Sequence, residues 1–169
     1  GLRNGGLVFQ SYLPRSERDL RTAVAAGIPV RIVKGAYQEP ESVAFQKKAE
    51  VDASFDRMTE ILLESALKQG GVRASKDGRT PPLSAIATHA PARIQFAETL
   101  AERIGLPKSA LEFQLLYGIR SELQRSLRDK GYPVRVYVPY GAQWYPYLMR
   151  RLAERPANLW FFVSNLVRR

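Results

Sequence analysis

The sequence predicts an α/β fold of about five consecutive βα units, and three observations predict it. Short runs rich in β-formers alternate with segments of helical periodicity. The runs begin at residues 7, 30, 83, 111 and 134, which makes about five units at the average of roughly 31 residues per unit of a βα barrel. Polar residues cluster toward the C-terminal ends of the runs, where parallel α/β proteins place their chemistry. An open, doubly wound five-stranded sheet and part of a (βα)8 barrel both fit this count.

The elements follow in order. Leu7 to Leu13 (LVFQSYL) reads as the first strand. Ser16 is placed to cap a helix that turns Leu20, Ala23 and Val24 inward before Gly27. Val30 to Val33 (VRIV) is the second strand. A long helix is expected over Glu41 to Gln69, with Val43, Phe55, Met58, Ile61, Leu62 and Ala66 as its apolar stripe. Its charges, Lys47, Lys48, Glu50, Asp52, Asp56 and Arg57, read as the solvent face. Gly70 to Pro82 is a Gly/Pro/charge-rich surface loop. Leu83 to Ala87 is the third strand, followed by a helix over Pro91 to Ile104 that buries Ile94, Ala97, Leu100, Ala101 and Ile104. Leu111 to Leu116 (LEFQLL) and Val134 to Val138 (VRVYV) are the last two strands. Helices over Arg120 to Lys130 and Trp144 to Glu154 complete the set.

Composition narrows the chemistry. A chain of 169 residues with 45% hydrophobic content suits one domain. It has no cysteine and a single histidine, His89, which excludes disulfides, thiolate chemistry and multi-histidine zinc sites. Neither GxGxxG nor GxxxxGK[ST] occurs. The net charge of +10 suits an anionic partner: nucleic acid, a membrane surface or a phosphate-bearing ligand. The last 20 residues alone carry five arginines against Glu154.

Gln10, Lys34, Thr88 with His89, Gln114 and Tyr137 bring a hydrogen-bonding group to the end of each of the five strands. In VRIVKGAY, Arg31 and Lys34 are cations in a buried strand, a costly placement unless an anion matches them. A phosphate or an electron-rich ring meets that need from outside, and a core carboxylate meets it from within. Gly35 permits close approach to the backbone. In YPYLMRRLAE, Tyr147 lies at i+3 and i+4 spacing from Arg150 and Arg151, with Glu154 near both. The two guanidiniums suit a small carboxylate, and an exposed Arg–Glu pair on a solvated helix fits the same spacing. His89 reads as a general base, a cofactor contact or a helix-cap neighbour. Trp160, Phe161 and Phe162 read as packing residues rather than a stacking platform for single strands.

VRIVKGAY, ATH, EFQLLYG, VRVYVPYG and YLMRRLAE, in this order, resemble the C-terminal part of proline dehydrogenase, from FQSYL to PAN. The resemblance implies a (βα)8 barrel of the TIM type. Residues 1–169 would supply strands four to eight and a closing, substrate-binding helix. It implies FAD as cofactor and oxidation of L-proline to Δ1-pyrroline-5-carboxylate, the first step of proline catabolism, with electrons passed to a membrane quinone. Gln10 would contact the flavin ring, and Arg31 would stand at its reactive nitrogen. Lys34, Gly35, Ala36, Thr88 and His89 would line FAD, with Glu154 beside it. Gln114, the polar end of the fourth strand, joins this cofactor set. Arg150 and Arg151 would bind the proline carboxylate, while Tyr137, Tyr147 and Leu116 would surround its ring. Tyr137, bulky where relatives that use hydroxyproline carry a small residue, implies proline as substrate.

Ala90 stands where the family often has Asn, Trp160 where it has a small hydroxyl residue, and Gln38 where an aromatic frequently follows. The family's substrate-contacting lysine and aspartate lie on earlier strands. The expectation is therefore that an N-terminal barrel segment, on the same or a separate chain, completes the enzyme. The basic surface implies a cytoplasmic protein docked peripherally at the inner face of the cell membrane. Two other readings of the charge stay open: a basic nucleic-acid-binding module, and a different barrel enzyme with an anionic substrate. No specific nucleic acid is expected as partner.

Overall fold

The computed structural model describes residues 5–35, 39–75, 77 and 79–142. They run β1 (Leu7–Gln10), α1 (Ser16–Ala25), β2 (Val30–Val33), α2 (Lys48–Lys68), β3 (Ser84–Ala87), α3 (Pro91–Ile104), β4 (Leu111–Leu116), α4 (Ser121–Asp129) and β5 (Val134–Tyr137). The strands form one sheet in the order β1-β2-β3-β4-β5, and every neighbouring pair is parallel. A doubly wound sheet would reverse its strand order at a switch point. This sheet never reverses, so the chain is α/β with the winding of part of a TIM-type barrel.

Register divides each strand into two faces. Phe9, Ile32, Ile86 and Phe113 are aligned across β1 to β4, with Val134 next to Phe113. These residues join Leu20, Val24, Phe55, Met58, Leu62, Ile94, Leu100 and Leu127 from the four helices in one core cluster. Helix α3 begins with Pro91 in its first turn and ends at Gly105 in the left-handed region (φ 74°). There the Gly105 and Leu106 amides return to Glu102 and Ala101, the ending that a glycine without Cβ strain favours.

Strand bounds match expectation to within three residues, and three helix details differ. Ser16 is the first residue of α1 rather than its cap; Arg15 holds the cap position and makes no side-chain cap bond. Helix α2 starts at Lys48, not Glu41, because Pro40 opens a separate turn whose carbonyl accepts from the Val43 and Ala44 amides. Val43 is exposed and takes no part in the apolar stripe. Asp52 and Asp56, expected in solvent, are only partly exposed because each faces a cation: Asp52 pairs with Lys34 and Lys48, and Asp56 with Arg93 at 3.0 Å. The helix expected over Trp144 to Glu154 lies outside the described residues.

Candidate functional site

The sheet face turned away from the helices carries the polar chemistry. Its rows, read from the register, are Val8–Arg31–Ala85–Glu112, then Gln10–Val33–Ala87–Gln114–Arg135, then Leu116–Tyr137. Thus Gln10, Arg31, Gln114, Leu116 and Tyr137, singled out from separate motifs, share one face.

Arg31 and Tyr137 stand three strands apart, roughly 14 Å along a flat sheet, yet they meet. The guanidinium carbon lies 4.6 Å from the centre of the Tyr137 ring, a cation–π contact. Two long side chains span the gap, and the small Ala85 and Ala87 of β3 leave the space between them clear. No carboxylate among the described residues pairs with Arg31, and its Nε is buried with no hydrogen-bond partner.

Beside this stack lies a pair the motif reading missed. Arg135 donates to Glu112 through Nε (2.9 Å) and Nη2 (3.0 Å), a bidentate grip. Gln114 Nε2 donates to the same carboxylate at 2.6 Å. The Glu112 side chain is only 3% exposed. Its hydrogen bond raises the pKa of Arg135, against the opposing effect of burial. Gln114 Oε1 is buried with no hydrogen-bond partner. Glu112 with Gln114, and Arg135 with Tyr137, were visible as polar residues two apart in apolar strands. That spacing puts each pair on one face.

The remaining strand-end groups are bonded within the chain. Lys34, 8% exposed, is paired with Asp52 of α2, so the anion that offsets this cation is a carboxylate of the chain itself. Burial raises the Asp52 pKa, but hydrogen bonds from Lys34 and Lys48 outweigh it and leave the group lowered. Asp56 is raised by burial, with Arg93 opposing. Gly35 adopts φ 95°, and a Cβ there would collide with the Tyr12 ring. Its close neighbour on that side is therefore Tyr12, and the Tyr12 amide also donates to the Lys34 carbonyl at 3.0 Å. Thr88 Oγ1 accepts from the Ala90 amide at 3.2 Å.

His89 is committed in the same way. Its Nε2 accepts from the Leu116 amide at 3.0 Å, which places any neutral ring proton on Nδ1. Its carbonyl accepts from Arg120 Nη1 at 3.0 Å. Arg120 itself has φ 51°, a costly backbone for a residue with a Cβ. These bonds tie the end of β3 to the end of β4 beside Leu116. With Nε2 already engaged, the general-base reading of His89 loses its free lone pair.

Ala36, Tyr147, Arg150, Arg151 and Glu154, with the departures at Gln38 and Trp160, lie outside the described residues. Among the described residues no cluster of three His, Cys, Asp or Glu side chains is placed to hold a metal ion. No helix among them is long and apolar enough to cross a membrane.

Comparison with known proteins adds a family to this geometry. The family model described as proline dehydrogenase matches residues 1–163. Proline dehydrogenase 2 of Bacillus subtilis is 40% identical over 96% of this chain and 48% of its own length. Proline dehydrogenase of Deinococcus radiodurans is 40% identical over 99% of the chain and 49% of its own. The chain thus spans about half the length of the curated relatives it matches. Among solved structures, proline utilization A from Bdellovibrio bacteriovorus, inactivated by N-propargylglycine, superposes with a TM-score of 0.71 at 33% identity. That match covers 87% of this chain and 16% of the other.

Proposed function

The chain belongs to the proline dehydrogenase family, and on that premise we propose that residues 1–169 supply strands four to eight and the closing helix of a barrel that oxidises L-proline to Δ1-pyrroline-5-carboxylate. A preceding barrel segment, on the same or another chain, completes the protein. FAD is the cofactor and a quinone the electron acceptor. The observation that carries this reading is Arg31: half-buried, its Nε buried and unpartnered, with no carboxylate partner among the described residues, stacked on Tyr137, on the face that also carries Gln114 with an unused acceptor. A buried donor and a buried acceptor left open on one face fit the polar edge of a flavin ring. Structural pairing has already satisfied the other strand-face arginine, Arg135.

Bound FAD would supply the two-electron acceptor for the hydride from the proline carbon next to nitrogen. The chain's own residues supply position and charge. Arg31 stabilises negative charge that builds where it points. Gln10 shares the row of Gln114 and hydrogen-bonds the cofactor. Lys34, Gly35 and Ala36 line it, on a backbone held by the Tyr12–Lys34 bond. Thr88, His89 and Glu154 complete its surroundings. Arg150 and Arg151 take the substrate carboxylate bidentately. Tyr137, Tyr147 and Leu116 enclose the ring, with Leu116 fixed through His89. The +10 charge supports peripheral docking of a cytoplasmic protein at an anionic membrane surface where a quinone resides.

The test uses the full-length protein containing this segment. We expect a flavin absorption band that L-proline bleaches, and co-sedimentation with vesicles that increases with anionic lipid. A colourless, proline-inert preparation of the complete barrel overturns the reading.

A further inference from the structure

The two ends of the Gln114 amide are not interchangeable. Arg135 only donates, and it occupies both oxygens of Glu112. The carboxylate accepts only, so Gln114 must turn its NH2 group toward it, as the 2.6 Å bond shows. Reversing the amide would set its oxygen against a carboxylate oxygen. The carbonyl oxygen Oε1 is therefore committed to the other side. It is buried and without a partner, on a residue only 7% exposed. Only a donor satisfies such an atom. Ala87, its neighbour on β3, is too small to fill the space beside it, and the next row holds Leu116 and Tyr137.

We propose that Glu112 and Arg135 are positioning residues that lock Gln114 as a hydrogen-bond acceptor for an N–H group of the bound ligand. The identity of that ligand rests on the functional reading above. Two N–H donors are then available, the imide of the flavin ring and the ring nitrogen of proline. Glu112 and Arg135 touch neither; they act through the amide they orient.

The experiment uses the full-length protein, with the FAD dissociation constant measured by titrating the apo-protein and KM measured for L-proline. Gln114→Met removes the acceptor while keeping the side-chain volume. It is expected to weaken one constant about tenfold. A loss confined to FAD assigns the bond to the flavin imide, a loss confined to KM assigns it to proline, and a loss in both places the oxygen between them. Glu112→Gln frees the Gln114 amide to turn and is expected to move the same constant by about threefold. The double variant Glu112→Gln with Gln114→Met is expected to be no worse than Gln114→Met alone, because Glu112 acts through Gln114. If Glu112→Gln does not fold, Glu112→Met with Arg135→Met removes both charges together and should reproduce its effect.

Unchanged constants in Gln114→Met, or losses that add fully in the double variant, overturn the proposal. A wild-type protein that binds no flavin and leaves proline untouched overturns the functional reading, and the ligand assigned here with it. A flavin-bound, active wild type with a silent Gln114→Met overturns this inference alone.

Discussion

The two faces of the sheet solve opposite problems with the same strands. The helix side presents Phe9, Ile32, Ile86 and Phe113 in one row, and the helices close over them. The other side buries Glu112 and Gln114 and carries the half-buried Arg31 and Arg135 along the same strands. Apolar burial is non-directional, so the helix side needs volume and little else. Buried polar groups need well-placed partners, and among the described residues of the inner face two atoms lack them: Arg31 Nε and Gln114 Oε1. The first face accounts for stability, and the proposed binding role falls to the second, where an unsatisfied buried group is costly until a ligand meets it.

Substitutions can break that division. Phe55 is fully buried between α2 and the sheet. Phe55→Ala is expected to cost about 3–5 kcal/mol of stability, read by denaturant unfolding of the full-length protein, with the proline KM of the folded fraction unchanged. Arg31→Leu should do the reverse: proline turnover falls about 10²–10³-fold while the unfolding midpoint barely moves. A loss of stability in Arg31→Leu as large as that in Phe55→Ala would show that the inner face carries the fold as well.

Asp52 tests the border between the faces, since it holds Lys34 from the helix side. Two ammonium hydrogen bonds keep its carboxyl below the usual 3.8 despite burial. A lowered carboxyl contributes stability that is present above its unfolded value and is lost as pH falls through the folded one. Asp52→Asn should therefore be less stable than wild type at neutral pH, by about 1.5–3 kcal/mol. The gap should close below about pH 4. Asp56, one turn along, has the opposite sign, because burial raises it. Thermal unfolding against pH separates the two, and an Asp52→Asn gap that persists in acid would refute the assignment.

The helix side was legible because a single rule governs it. Leu20, Val24, Phe55, Met58, Leu62, Ile94 and Leu100 follow the helical period and are all buried as expected. The sheet order needed the structure, since five units fit either a reversing or a non-reversing sheet. On the inner face Gln114 and Tyr137 were visible as polar breaks at strand ends, and Arg31 as a cation within a strand. Their partners were not, because partners come from other strands. Lys34 was visible as a cation that needs an anion, but Asp52, 18 residues on, could not be picked out as its carboxylate. Arg135 was not singled out at all: the register sets it opposite Gln114, and its side chain reaches diagonally to Glu112. Gly35 was visible as a point of close approach, but Tyr12, which fills the side a Cβ would take, was not.

The smallest expected effect concerns a polar group that intrudes on the helix side. Tyr132 is 5% exposed and packs edge-on against Phe113, ring centres 5.1 Å apart. Burial, then the negative charges of Glu98 and Glu102, push its phenol up to about 12 from an ordinary 10.0. Below pH 10 the phenol is neutral in both folded and unfolded chains and contributes nothing to pH dependence. Between 10 and about 12 the unfolded chain gives up the proton and the native state does not, so stability falls as pH rises. Tyr132→Phe keeps the ring contact and has no proton to lose. Wild type and variant should therefore behave alike at pH 8, while by pH 11 wild type should have lost about 1 kcal/mol more, measured by urea unfolding at each pH. Parallel curves from pH 8 to 11 would mean that the phenol ionises as freely folded as unfolded. Tyr132 would then belong with the solvent-facing groups rather than with the core that Phe113 anchors.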